Sequence, residues 1–332
     1  VALACWAQCF LDPQRAAAQA QAMAGGGGEA AAWGPVQAAL AAALMGAVDQ
    51  AEKDLAQARA AFQLLKQASG LRWCAEIEAI VLRKRGRTAE CQALQHQLDQ
   101  ADARAGPAPA APGAPVPEAL WQFLLHNARA ATARLLGDLD GALRHQFAAE
   151  EAAAHSALPG LRLVALSNLG ALQQELHNLD DARSATEEAL AQARAARSPH
   201  LLGTAAANLI VICHAHGEPA RGHAAMQQLL AEEAGLLPEV QTRYALQLAL
   251  AEAGMGLHEA ALQRLVKVPH ETGSAATRDP SHRLFWHWLH ARCRLALGQA
   301  EAASAAAEAE LQAHDELLWR AHPYLAMELL RA

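Results

Sequence analysis

Residues 168–190 read NLGALQQELHNLDDARSATEEAL, and the fold follows from how this stretch is parsed. Gly170 stands seven residues before the polar step His177-Asn178, and Ala182 stands five residues after His177. Small residues at those two places let the two helices of a short hairpin approach closely, so the stretch reads as helix, tight turn, helix.

The same layout recurs outward in both directions. Turn residues Gly46, Gly86, Gly137, His177, Gly217, Gly256 and Gly298 follow one another at intervals of 40, 51, 40, 40, 39 and 42 residues. Seven positions before each turn stand Ala39, Ala79, Ala130, Gly170, Ile210, Ala249 and Ala291. Five positions after it stand Ala51, Cys91, Ala142, Ala182, Gly222, Ala261 and Ala303, so Ile210 is the one large side chain among fourteen. Proline keeps the same beat. Pro117, Pro159, Pro199, Pro238, Pro280 and Pro323 recur every 39 to 43 residues, and each of the first five precedes its turn by 18 to 20. Proline suits the first turn of a helix and glycine its C-terminal exit, so every period is expected to be one helix pair. A repeat of this length implies a solenoid, in which stacking completes a core that no unit can bury alone.

Composition agrees. The 332 residues are 53% hydrophobic but only 4% aromatic, with alanine about a quarter of the chain, which favours helix over strand at nearly every position. Approximate repeats fall at 1–24, 29–68, 71–104, 117–156, 159–197, 199–235, 238–268 and 280–320, with a truncated one at 323–332. The one long interval has its cause in residues 105–117, AGPAPAAPGAPVP, where a Pro/Ala/Gly linker (105–116) is inserted before Pro117. Val1 replaces an initiator Met and Pro323 opens a repeat that stops at Ala332, so the chain is expected to be part of a longer protein.

This pattern resembles the tetratricopeptide repeat over nearly the whole chain, most closely in Asn168–Leu190, with good matches at Leu136–Leu143 and at Asn208, Gly217 and Gly222. The period near 40 exceeds the usual 34 of that family, as in the helical sensor regions of bacterial signalling proteins. The resemblance implies an all-α, right-handed α-solenoid of eight antiparallel helix pairs and a truncated ninth. It also implies that first helices line a concave face, where an Asn two residues before the small position often bonds the backbone of an extended peptide. Asn168 and Asn208 hold that position in consecutive repeats, and Asn127, Arg134, Gln174, His214, Arg243 and Gln247 lie on the same face. That face reads as polar and mildly basic. Asn is a poor helix-interior residue unless its amide has a task, either holding a peptide or bridging adjacent repeats. Val164 and Thr204 stand where the family's carboxylate clamp needs cations, so chaperone C-termini are not the expected ligand.

Signals of catalysis are sparse. Gly25–Gly28 lacks the Lys-Ser/Thr of a phosphate loop, and no HExxH pair occurs. His287 and His290, with His282 and Cys293 nearby, have a spacing that two metal ligands could use, but Arg294 would set a fixed positive charge beside the cation. His214 and His216 point to different sides of a helix. Phe285, Trp286 and Trp288 are expected to pack between helices. No cofactor or metal is expected. The six cysteines (Cys5, Cys9, Cys74, Cys91, Cys213, Cys293) lack zinc or redox spacing and read as small buried residues of a reducing, cytoplasmic compartment. A formal net charge of −7 argues against nucleic acid and anionic membranes as partners, and no uninterrupted apolar run is long enough to cross a bilayer. Arginine greatly outnumbers lysine, the habit of a GC-rich bacterial genome. The expected function is a non-catalytic scaffold that binds a peptide, a partner protein or another domain of its own polypeptide. An effector sensor of a transcription regulator or cyclase is the main alternative, and a metal-dependent enzyme a remote one.

Overall fold

The computed structural model describes residues 2–24, 29–105, 118–156, 158, 160–232, 238–268 and 280–305. Gly25–Gly28, most of the 105–117 linker, Pro159 and the repeat expected from Pro323 lie outside that set. Among the described residues there are fifteen complete α-helices and no strand. They are α1 Ala2–Leu11, α2 Pro13–Ala24, α3 Glu29–Leu44, α4 Val48–Leu65, α5 Ala68–Lys84, α6 Thr88–Ala105, α7 Glu118–Leu135, α8 Leu139–Ala154, α9 Leu161–Glu175, α10 Leu179–Ala195, α11 Pro199–Ala215, α12 Pro219–Glu232, α13 Pro238–Gly254, α14 His258–Val266 and α15 Pro280–Ala296.

Backbone geometry at the turns explains their residue types. All seven turn residues adopt positive φ, from 60° at His177 to 80° at Gly256. In each the turn N–H bonds the carbonyl three residues back, as His177 does to Gln174 at 3.1 Å, and in most the next N–H reaches five back, as Asn178 does to Gln173 at 2.9 Å. This pair of hydrogen bonds satisfies two carbonyls that the ending helix leaves open, and only glycine enters the left-handed corner without strain. At the other end of the pairs, Pro199, Pro238 and Pro280 are the first residues of α11, α13 and α15. Ser198 caps α11, its Oγ accepting from the Leu201 N–H at 3.4 Å.

All fourteen positions flanking the turns are buried. The two members of a pair face each other: the Cys91 thiol donates to the Ala79 carbonyl at 3.2 Å, and a Cβ on Gly170 would meet the Thr186 hydroxyl at 2.3 Å and the Ala182 carbonyl at 3.1 Å. Ile210, the large exception, lies opposite Gly222, whose added Cβ would stand 3.0 Å from the Ile210 Cα. The volume gained on one helix is given up on the other.

The chain divides into two compact units, Val1–Ala133 with Asp140–Ala165, and Arg134–Leu139 with Leu166–Ala332. In unit 1, α1 packs on α3 and α3 on α5, the neighbour relation of stacked repeats. One tryptophan from each first helix enters a ladder: Trp6 to Trp73 and Trp73 to Trp121 at 5.0 Å between ring centroids, with Trp33 edge-on to Trp6 at 6.5 Å. Beside it the buried Glu76 carboxylate accepts from Arg72 at 2.9 Å and Arg129 at 3.4 Å, and Arg72 lies over the Trp121 ring. In unit 2, α11 packs on α13 and α13 on α15. Tyr244 of α13 is buried against Gly203 of α11. Trp286 and Trp288 of α15 are buried as expected, Trp286 donating its indole N–H to the Leu265 carbonyl at 2.9 Å.

Candidate interaction site

In unit 2 the first helices α9, α11, α13 and α15 carry most of the polar residues singled out from the sequence. The link from α9 to α11 is direct: Asn208 donates its side-chain N–H groups to both the backbone carbonyl and the hydroxyl of Ser167, each at 3.0 Å. Asn208 thereby bridges adjacent repeats, one of the two tasks expected of it, and its Oδ1 remains as an acceptor. Asn168 and Gln174 are half-buried on α9. Gln247 is half-buried on α13, and its Oε1 is a buried acceptor without a partner among the described residues. Asn127 is half-buried on α7 in unit 1. The Arg243 side chain lies outside the described residues.

The mildly basic character expected of this face is narrower in three dimensions. Arg134 is neutralised by Glu175, Nε to Oε2 at 2.8 Å and Nη2 to Oε1 at 2.5 Å, a fork that fixes both planes. His214 adds no charge, because burial first and the neighbouring Arg292 second hold its imidazole below the usual histidine range. Arg292, which the sequence reading passed over, supplies the cation instead. Its guanidinium lies 5.5 Å from the Trp288 ring centroid, and Nη1 stands 3.5 Å from His214 Nε2. Arginine only donates, so Nε2 must accept and the proton of the neutral ring sits on Nδ1. The ring itself is seated by Gly254, where an added Cβ would stand 2.6 Å from His214 Nδ1. The tryptophan face and the imidazole hold the guanidinium in place, and among the described residues no carboxylate pairs with Arg292.

The histidines of α15 are engaged otherwise. His290 stacks on Trp286 with centroids 4.7 Å apart, and its Nε2 accepts from Arg294 Nε at 3.0 Å. The nitrogen that a metal would need thus meets a fixed cation, and Arg294 also bonds Gln299 at 2.8 Å. Among the described residues no three His, Cys, Asp or Glu side chains converge to hold a metal ion. The His282 side chain lies outside them. Cys9, Cys74, Cys91, Cys213 and Cys293 are buried and none forms a disulfide. Burial pushes the Cys74 and Cys293 thiols up to about 11, far from the thiolate of a reactive cysteine. No described helix is long and apolar enough to cross a membrane.

Comparison with solved structures gives the same fold. The crystal structure of Rap protein complexed with competence and sporulation factor matches with a TM-score of 0.65 at 10% identity, covering 97% of this chain and 89% of that one. The crystal structure of NprR in complex with its cognate peptide NprX matches with a TM-score of 0.62 at 11% identity, covering 90% and 82%. A tetratricopeptide repeat protein from Parabacteroides merdae matches with a TM-score of 0.51 at 14% identity, covering 90% and 98%. No family model and no curated protein matches the sequence. At such low identity these structural likenesses show the fold alone, an α-solenoid of tetratricopeptide type, and leave function to be argued from the site.

Proposed function

We propose that this chain is a non-catalytic interaction scaffold that holds an extended peptide segment across the first helices of unit 2. The observation that carries the reading is the Gln247 Oε1 atom on α13, a buried acceptor without a hydrogen-bond partner among the described residues. Leaving such an atom unpaired costs about 1–3 kcal/mol, and a peptide N–H would meet it. Asn208 Oδ1 and the amides of Asn168 and Gln174 add acceptors and donors suited to a peptide backbone, whose polar groups recur regularly whatever its sequence. NprR and Rap, of the same fold at low identity, were each crystallised with a bound peptide or factor. The segment comes from another protein or from another domain of the same polypeptide. A bacterial cytoplasm is the proposed compartment, where thiols such as those of the five described, buried cysteines stay reduced.

The test is selection of a random heptapeptide library on the immobilised chain, with Gln247→Ala and Asn168→Ala beside the wild type. Enrichment of peptides by the wild type, weakened in both variants by more than any accompanying loss of stability, supports the reading. A chain that enriches no peptide, or variants that select as well as the wild type, would overturn it.

A further inference from the structure

The arginines of unit 2 divide by what they meet. Arg134 meets Glu175, Arg264 meets Glu252, Arg183 meets Asp180 and Arg221 meets Glu187 and Glu218. Arg292 meets an aromatic face and a histidine nitrogen. Arg294, also half-buried and without a carboxylate among the described residues, directs donors to both His290 and Gln299, whereas Arg292 makes the single His214 contact, so most of its donors are unused by the described residues. Its position is also built. Gly254 lets the His214 ring lie flush on α13, so that a side chain from α15 reaches one from α11 across the helix between them. Trp288 is buried, which fixes the platform beneath the guanidinium.

We propose that Arg292 receives a carboxylate of the bound segment, so that the scaffold selects peptides carrying an acidic side chain or a free C-terminus at this point. The inference rests on the peptide-binding reading above. Of the five N–H donors of the guanidinium, one points to His214 Nε2, and the remaining ones form the planar fork that takes a carboxylate bidentately. The cation–π contact with Trp288 restrains the guanidinium before the ligand arrives, which reduces the ordering cost of binding. His214 is a positioning residue: it accepts from Arg292, carries no charge that would compete for the anion, and keeps the guanidinium from swinging to solvent.

The experiment uses the full chain, the random heptapeptide library in two formats and the variants Arg292→Gln, Arg292→Lys and His214→Ala. One format fuses the peptide through its C-terminus, leaving only acidic side chains, and the other leaves the C-terminal carboxylate free. The expected result is enrichment of Asp or Glu at one position in the first format, or of any sequence with a free C-terminus in the second, and the format that enriches names the source. Arg292→Gln should lose that preference by about tenfold or more, the loss expected for a charge-assisted bond, while still enriching peptides. Arg292→Lys should keep the charge preference and lose part of the affinity, and His214→Ala should weaken the preference without abolishing it. Enrichment by the wild type without acid or C-terminal preference, or a preference that survives in Arg292→Gln, overturns this proposal and leaves the peptide reading standing. Enrichment of nothing by any of the proteins ends both.

Discussion

The Tyr244 hydroxyl occupies the space that a side chain on Gly203 would fill: a Cβ built on Gly203 lies 0.7 Å from that oxygen and 2.0 Å from the ring carbon bearing it. Gly203 is in the interior of α11, where alanine would ordinarily stabilise the helix by about 1 kcal/mol. Close packing of α11 on α13 therefore outweighs helix propensity here. Gly203→Ala should forfeit that gain and lower stability by about 1–3 kcal/mol through overpacking. Thermal melting followed by circular dichroism checks this, and a raised melting temperature would place Tyr244 elsewhere.

His177 is the one turn residue of seven that is not glycine, and it holds φ of 60°. An L side chain in that region costs about 1–2 kcal/mol, partly offset on replacement by the extra freedom glycine gives the unfolded chain. His177→Gly should thus stabilise the protein by about 0.5–1 kcal/mol. The reciprocal change is clean at Gly217, where an added Cβ meets nothing within 4 Å, so Gly217→Ala should cost about 1 kcal/mol from backbone strain alone. Urea unfolding of both variants measures the difference.

Those two predictions concern the features that were most legible in the sequence. Left-handed turns and close helix approaches admit few residue types, so Gly137 or Ala182 can be read without knowing what surrounds them. Ile210 looked like an exception to that rule. Its pairing with Gly222 shows that the constraint falls on the summed volume at a crossing and not on either residue. The tryptophan ladder escaped because Trp6, Trp33, Trp73 and Trp121 are spaced irregularly in the chain and meet only once repeats stack. The pairing of Arg292 with His214 was hidden for a related reason. It joins side chains 78 residues apart across an intervening helix, and nothing local restricts either residue type.

Acid should loosen both units through half-buried histidines. Burial first, then the His145 and Arg129 charges, lower the His126 pKa, and its Nδ1 lies 3.1 Å from His145 Nδ1, where one proton can be shared but two repel. His214 is lowered by burial and Arg292. Folded values below the unfolded one mean that the unfolded chain binds more protons, so stability is whole above about pH 6.5 and declines as pH falls toward the depressed folded values. His126→Gln should flatten the dependence of melting temperature on pH between about 7.5 and 5.5. A slope unchanged from wild type would show that His126 does not contribute to it.

Asn208 and Asn168 occupy equivalent places in successive repeats, and truncating each one tells a strut from a ligand contact. Asn208→Ala removes two hydrogen bonds to Ser167 and leaves the buried Ser167 side chain short of a partner. The cost should be about 1–3 kcal/mol of stability, the range for unpairing a buried polar group. If Oδ1 also accepts from a bound peptide, affinity for a peptide selected from the library falls as well. Asn168→Ala tests the other task proposed for these amides: an affinity loss of about 0.5–1.5 kcal/mol that exceeds the stability loss would place its amide toward the ligand. Melting temperature and peptide affinity measured on both variants separate the roles. Equal affinity in Asn168→Ala and wild type would make Asn168, like Asn208, a strut between repeats.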